Sequence, residues 1–140
     1  LKTLVNEHGR EGKKNGKGFY DYPTEGDKHL WPDLINLYPP KSEQPSQQDL
    51  VDRLMFIQAN ESAKCYEENV VRSVADTNIG SIFGWGFAPQ HGGTLQFINA
   101  MGVSAFVERS RELAAKYGER FEPAQILLDM AVKGETFSDD

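Results

Sequence analysis

Apolar positions along the chain recur with a helical period in several stretches, each closed by glycine or proline. The most sustained runs from about Gln47 to Val71. There Val51, Met55, Ala59, Ala63, Tyr66 and Val70 return at steps of three or four, and Leu50, Leu54 and Ile57 widen that face. Ser46 stands where an N-cap belongs, and Asp49 in the first turn complements the positive end of the helix. A shorter helix is predicted over about 75–83, with Ser73 as its cap. "TLQFINAMG" reads as a helix stopped by Gly102. "VSAFVERSRELAAKYG" reads as another, with Phe106, Val107, Leu113, Ala114 and Tyr117 mostly on one side and Gly118 as the stop. "EPAQILLDMAVKG" starts with Pro123 near the first helical position and ends at Gly134, and Ile126, Leu127, Met130 and Ala131 form its stripe. "ETFSDD" reads as a polar tail.

Residues 1–46 behave differently. "LKTLVNEHG" reads as the last turns of a helix, with Leu1, Leu4, Val5 and His8 on one face and Gly9 as a left-handed C-cap. Residues 10–46 hold five of the seven prolines and no sustained period, so this stretch reads as loop and extended connection. One short helix fits within "WPDLINLYPP". Because no run of alternating residues reaches strand length, the predicted class is all-α, or mainly α, with a long irregular N-terminal segment. The divisions expected are 1–22, 23–46 as a Pro-rich connecting segment, and 47–140 as the helical body.

Composition narrows the picture. Apolar residues make up 39% and charged residues 26% of 140 residues, which fits one packed domain rather than a disordered chain. No stretch has the length of apolar residues that a membrane span needs, and the first residues do not read as a signal peptide. The lack of an initiator Met, and a start on the end of a helix, suggest a chain that begins inside a longer polypeptide. A single cysteine, Cys65, allows no internal disulfide and no multi-cysteine zinc site, and points to a reducing, cytoplasmic setting. The net charge of −6 disfavours nucleic acid as a main partner. Charge is uneven: residues 1–18 carry five Lys or Arg against two acids, so a basic stretch precedes an acidic body.

Candidate chemistry concentrates in "GREGKKNGKGFYDYP". Glycine with lysine suggests a phosphate loop. Gly16-Lys17 would need glycine where Glu11 stands and a hydroxyl where Gly18 stands, and Gly12-Lys13 meets Glu7 and Lys14 instead. A dinucleotide fingerprint starting at Gly16 or Gly84 meets Asp21 or Pro89 at its last glycine. What remains is a solvated basic turn around Asn15-Gly16, or a looser anion contact through Lys13, Lys14 and Lys17. His8, His29 and His91 have no metal-spaced partner. Cys65 reads as a small buried apolar residue, Trp31 and Trp85 as packing anchors, and Phe19, Tyr20 and Tyr22 as rings docking the basic turn onto helices. Glu67-Glu68 and Asp139-Asp140 read as solvated acids. No catalytic, cofactor-binding or metal-binding residue is assigned.

In combination these segments resemble a known family. "GREGKKNGKGFYDYP" is similar to the G-R-x-G-R-K-x-G-x-G-F-Y-x-Y signature of 3-hydroxyacyl-CoA dehydrogenases, where it closes the first C-terminal helical repeat. "RLMFIQANESAKCYEENVV" resembles the long helix opening the second repeat in the multifunctional fatty-acid oxidation enzymes. "ADTNIGSIFGWGFAPQHGGTLQFINAMG" and "LAAKYGERFEPAQILLDMAVKGETF" resemble the segments that follow. Thr94 and Asn99 replace the usual Pro and Asp of that pattern, and Gln90-His91 replaces the usual aromatic before the glycine pair.

The resemblance implies a helical repeat of the 6-phosphogluconate dehydrogenase C-terminal-like fold. It also implies a parent enzyme that carries an enoyl-CoA hydratase region, a Rossmann domain holding NAD, and a first helical repeat. The parent would oxidise L-3-hydroxyacyl-CoA to 3-ketoacyl-CoA. The catalytic His–Glu pair, its supporting Asn and the NAD-binding glycines fall on none of the positions of this chain. The segment's implied role is to buttress the dehydrogenase cleft, with the Rossmann domain and first repeat as partners. Alternatives are a free-standing helical module that binds acyl-CoA or a partner protein, and an oligomerisation domain.

Overall fold

The computed structural model describes residues 1–139. Among them helices dominate, with seven α-helices, 60% helix and 4% strand. The chain divides into two compact units, Leu1–Gln44 and Pro45–Asp140.

In the first unit, α1 spans Lys2–Asn6 and closes through Gly9, at φ +60, where the amides of Gly9 and Arg10 return to the carbonyls of Val5 and Leu4. Leu4 is its one buried position, while Leu1 and Val5 are exposed. A 3-10 turn at Lys13–Asn15 leads to β1 (Tyr20–Asp21), which pairs antiparallel with β2 (His29–Leu30) in the register Tyr20 to Leu30 and Asp21 to His29. These strands are two residues long, too short for alternation to reveal, so a stretch expected to be loop contains a small pleated pair. The short helix expected between the prolines is α2, Leu34–Leu37.

The second unit contains α3 (Gln47–Glu67), α4 (Val74–Trp85), α5 (Thr94–Met101), α6 (Val103–Tyr117) and α7 (Gln125–Lys133). Ser46 Oγ accepts the Asp49 amide at 3.0 Å, and Ser73 Oγ accepts that of Asp76 at 2.9 Å, so both predicted caps are in place. α3 ends at Glu67, four residues before the apolar period suggests. Asn69 turns left-handed at φ +58, and the amides of Asn69 and Val70 fold back to the carbonyls of Tyr66 and Cys65. Pro123 stands outside α7 rather than at its first position: Ala124 is the N-cap, and Gly134 closes the helix left-handed.

An aromatic cluster holds this unit together. Phe56 of α3 stacks on Phe106 of α6 with ring centroids 4.3 Å apart, and Phe97 of α5 meets both edge-on. Each fully buried ring contributes about 1.5–3 kcal/mol by leaving water, and each such pair about 0.5–1.5 kcal/mol more. Polar side chains join the helices at their ends. Asn60 accepts the Ala124 amide and donates to the Glu122 carbonyl, and Glu67 accepts the Ile126 amide, so α3 caps α7. Asn78 of α4 accepts the amides of Leu95 and Gln96 and thereby caps α5. A side chain at Gly93 would come within 2.5 Å of Asn78, so that cap requires glycine there.

Candidate functional site

The basic turn is organised by Arg10. Its side chain, 8% exposed, lies under the turn. Nε donates to the Gly18 carbonyl at 2.6 Å, Nη2 pairs with the Asp21 carboxylate, and the guanidinium stacks 4.2 Å over Trp31. A planar fork that can bond and stack at once suits this position, and lysine lacks that shape. The turn itself is closed by its backbone. The Gly12 amide donates to the Lys17 carbonyl at 2.7 Å, and the Lys17 amide returns to Gly12 at 3.1 Å. A Cβ at Gly18 would sit 2.9 Å from the Gly12 Cα, so the two glycine backbones touch.

This closure does not fit a dinucleotide pyrophosphate. The Gly12 amide is already taken by Lys17, and the short 3-10 turn is not the long helix whose amides cradle phosphate. The expected anion-contact residues, Lys13, Lys14 and Lys17, do come together on this turn, all exposed. Lys14 lies 3.2 Å from Glu11. Of the three rings expected to dock the turn, Phe19 and Tyr20 are exposed and Tyr22 is half-buried.

In the second unit α3 carries apolar residues on two faces. Phe56, Ala59 and Ala63 enter the core, while Leu50, Leu54 and Val51 stay exposed. Phe56, absent from the stripe read in the sequence, is the pivot of the core. α4 repeats the pattern: Val74, Thr77 and Ser81 are buried, yet Ile79, Phe83 and Trp85 stand in solvent, Phe83 at 84% exposure. Between α3 and α4 lies an open groove of about 530 Å³, walled by Ile57, Cys65, Val70, Val71 and Trp85 and floored in part by Gly80 and Gly84. Cys65 is half-buried at its edge, not sealed in the core. Trp85 is no packing anchor: it is 56% exposed and donates from Nε1 to Gln58 Oε1.

An ionic cluster ties α3 to the end of α6. Asp49 accepts from Lys116 Nζ at 2.6 Å, Tyr117 Oη at 2.5 Å and Arg109 Nη2 at 2.7 Å, and Arg109 Nε reaches Asp52 at 2.7 Å. The Lys116 ammonium first, then the Tyr117 hydroxyl and the Arg109 guanidinium, hold the Asp49 carboxyl well below the usual range. In return Asp49 raises Lys116, while Glu112 and Asp49 raise Arg109. Each carboxylate here has a cationic partner, with Arg109 shared by Asp49, Asp52 and Glu112, so the cluster joins helices. Among the described residues no group of three or more His, Cys, Asp or Glu could hold a metal ion, and no helix is long and apolar enough to cross a membrane.

The three departures from the resembled pattern have local partners. The Thr94 amide donates to Ser81 Oγ at 3.2 Å, a bond proline could not make. The His91 ring packs edge-on to Phe97 at 5.2 Å and lies 6.4 Å from Phe87. The Asn99 amide accepts from the Phe137 amide and donates to the Phe137 carbonyl, both at 2.9 Å. The tail expected to be polar is therefore docked, with Phe137 buried against Tyr66. Asp139, read as a solvated acid, binds the amides of Val74 and Ala75; Asp140 lies outside the described residues. Glu67 also departs from that reading, since it caps α7.

No protein-family profile matches the chain. A curated relative, the fatty acid oxidation complex subunit alpha of Vibrio campbellii (strain ATCC BAA-1116), is 39% identical over 140 residues. The alignment covers 98% of this chain and 19% of that protein, so the chain spans about a fifth of its relative's length. Along nearly its whole length, then, the chain is a homologue of a segment of the fatty acid oxidation complex alpha subunit.

Proposed function

We propose that this chain is the C-terminal helical segment of a β-oxidation enzyme, and that it supports the dehydrogenase cleft without supplying catalytic groups. The observation that carries the reading is the apolar face of α3 and α4. Leu50, Leu54, Ile79, Phe83 and Trp85 lie exposed on neighbouring helices of a unit that buries a separate apolar cluster. Exposed apolar residues on this scale mark a contact surface. The occupant proposed is the first helical repeat and Rossmann domain of the same polypeptide, and the 39% identity to a segment of a much longer protein supports a covered face. On this reading residues 1–22 close the first repeat, 23–46 connect, and 47–140 form the second repeat. The parent converts L-3-hydroxyacyl-CoA to 3-ketoacyl-CoA in the cytoplasm, with enoyl-CoA hydratase activity and NAD held outside this chain. Formation of NADH from 3-hydroxyacyl-CoA, compared between this chain alone and the longer polypeptide, tests the reading. Turnover by the chain alone at the longer protein's rate would sink it.

A second reading rests on the exposed Lys13 and Lys17, which have no acidic partner within ion-pair distance among the described residues. In it the basic turn contacts the phosphates of CoA. Calorimetric titration with CoA separates the two readings: saturable binding that disappears when Lys13, Lys14 and Lys17 become Glu favours this one.

A further inference from the structure

α4 forms one wall of the groove, and few of its own apolar side chains enter the core, although Phe87 just beyond its C-cap does. Val74 is its one large apolar residue in the core, whereas Ile79, Phe83 and Trp85 face solvent. Gly80 and Gly84 present no side chain to α3, and a Cβ built on either would touch nothing within 4 Å. What fixes α4 is a set of polar clips. Asn78 and Ser81 tie it to the start of α5. At its N-terminus Ser73 Oγ satisfies the Asp76 amide, and the two amides before it are satisfied from far along the chain: Asp139 accepts from Val74 at 2.5 Å and from Ala75 at 2.7 Å.

The segment that delivers Asp139 is itself anchored twice. Phe137 is buried, with its ring edge-on to Tyr66 of α3 at 5.7 Å. Its amide and carbonyl are both held by Asn99 of α5. An Asn side chain has the donor and the acceptor for that pair of bonds, while an ionised Asp can only accept. Asn99 is also a position at which the sequence departs from the pattern it resembles. Three contacts thus run from one short segment to α3, α4 and α5.

We propose that residues 136–139 form a strap that locks α4 against α3 and α5 and so sets the shape of the groove between α3 and α4. The strap controls a surface from a distance: releasing it loosens α4, which Asn78 and Ser81 still tether to α5, while leaving the aromatic core of α3, α5 and α6 intact. The inference concerns this chain's own mechanics and stands whatever covers the groove.

The test uses the chain carrying Trp31→Phe, so that Trp85 is the sole indole reporter. Asn99→Asp and Asp139→Ala are compared with Glu135→Ala, a control on the exposed part of the tail. Amide hydrogen exchange and Trp85 emission are read together. Each strap variant should speed exchange along α4, from Val74 through Phe83, by roughly fivefold or more. Each should also move the Trp85 emission, with α6 amides and the control unchanged. Acceleration confined to Val74 and Ala75, or an unmoved Trp85 emission, would overturn the proposal. Equal acceleration in α6 would overturn it as well, because the segment would then be an ordinary part of the global fold. If Asp139→Ala does not fold, Asp139→Asn supplies the same readout with a smaller change.

Discussion

Trp85 Nε1 donates to Gln58 Oε1 at 2.9 Å, which ties the end of α4 to the middle of α3 beside the open groove. The bond lies in solvent, so its net worth is about 0.5–1 kcal/mol. Gln58→Leu should therefore leave the denaturation midpoint nearly unchanged while it shifts Trp85 emission in a Trp31→Phe background. An unmoved emission would show that the indole is not held by Gln58.

Arg10 makes a second prediction. Arg10 is buried but its partner Asp21 is 28% exposed, so removing the guanidinium costs less than breaking a fully buried pair, which costs about 3–5 kcal/mol. Arg10→Ala should open the turn that presents Lys13, Lys14 and Lys17, and tryptic cleavage after those residues should rise on the order of a hundredfold. The bonds and ring contact described for Arg10 lie within the first unit, so the α6 amides should keep their exchange rates. Cleavage at the wild-type rate would remove Arg10 from the centre of the account.

What the sequence revealed, and what it hid, follows from the range of the interactions concerned. Ser46, Ser73 and Gly134 act on their own helix ends, and local pattern sufficed to place them. Phe56 was missed because α3 is apolar on two faces, and a period cannot say which face finds a core and which stays bare. Phe137 and Asp139 looked like a tail because their hydrogen-bond partners lie 38 to 65 residues away. Arg10 looked like one more cation in a basic run. Only the return of Gly18, Asp21 and Trp31 to the same place sets it apart.

Asp49 gives a pH dependence. Its carboxyl is held well below the ordinary value of 3.8 by Lys116, Tyr117 and Arg109. A depressed folded-state value means that the native state binds fewer protons than the unfolded chain. The contribution is therefore fully present above the ordinary carboxylate range and is lost as pH falls through and below 3.8. Asp49→Asn should lower stability at neutral pH and flatten its decline between neutral and strongly acid conditions. Parallel acid-unfolding curves for variant and wild type would refute this.

Thr94 offers a stabilising change. Its hydroxyl is fully buried and, among the described residues, has no hydrogen-bond partner. Thr94→Val keeps the shape and the amide bond to Ser81 and removes the unsatisfied group. The gain should be about 1 kcal/mol, within the range for an unpaired buried hydroxyl. A loss of stability on urea denaturation would mean that the hydroxyl finds a partner.

On the proposed function the α3–α4 face docks onto the rest of a longer β-oxidation enzyme. NADH formation from 3-hydroxyacyl-CoA is then measured for three samples: this chain alone, the longer polypeptide, and the longer polypeptide carrying Phe83→Asp. Phe83 is exposed in this chain, so the substitution should change the chain's own stability by no more than about 0.5 kcal/mol. Docking through this face should give no turnover by the chain alone, and a loss of roughly tenfold or more in the Phe83→Asp protein, since a buried uncompensated charge disrupts a docked face. Turnover by the chain alone, or an unchanged rate in the Phe83→Asp protein, would contradict it.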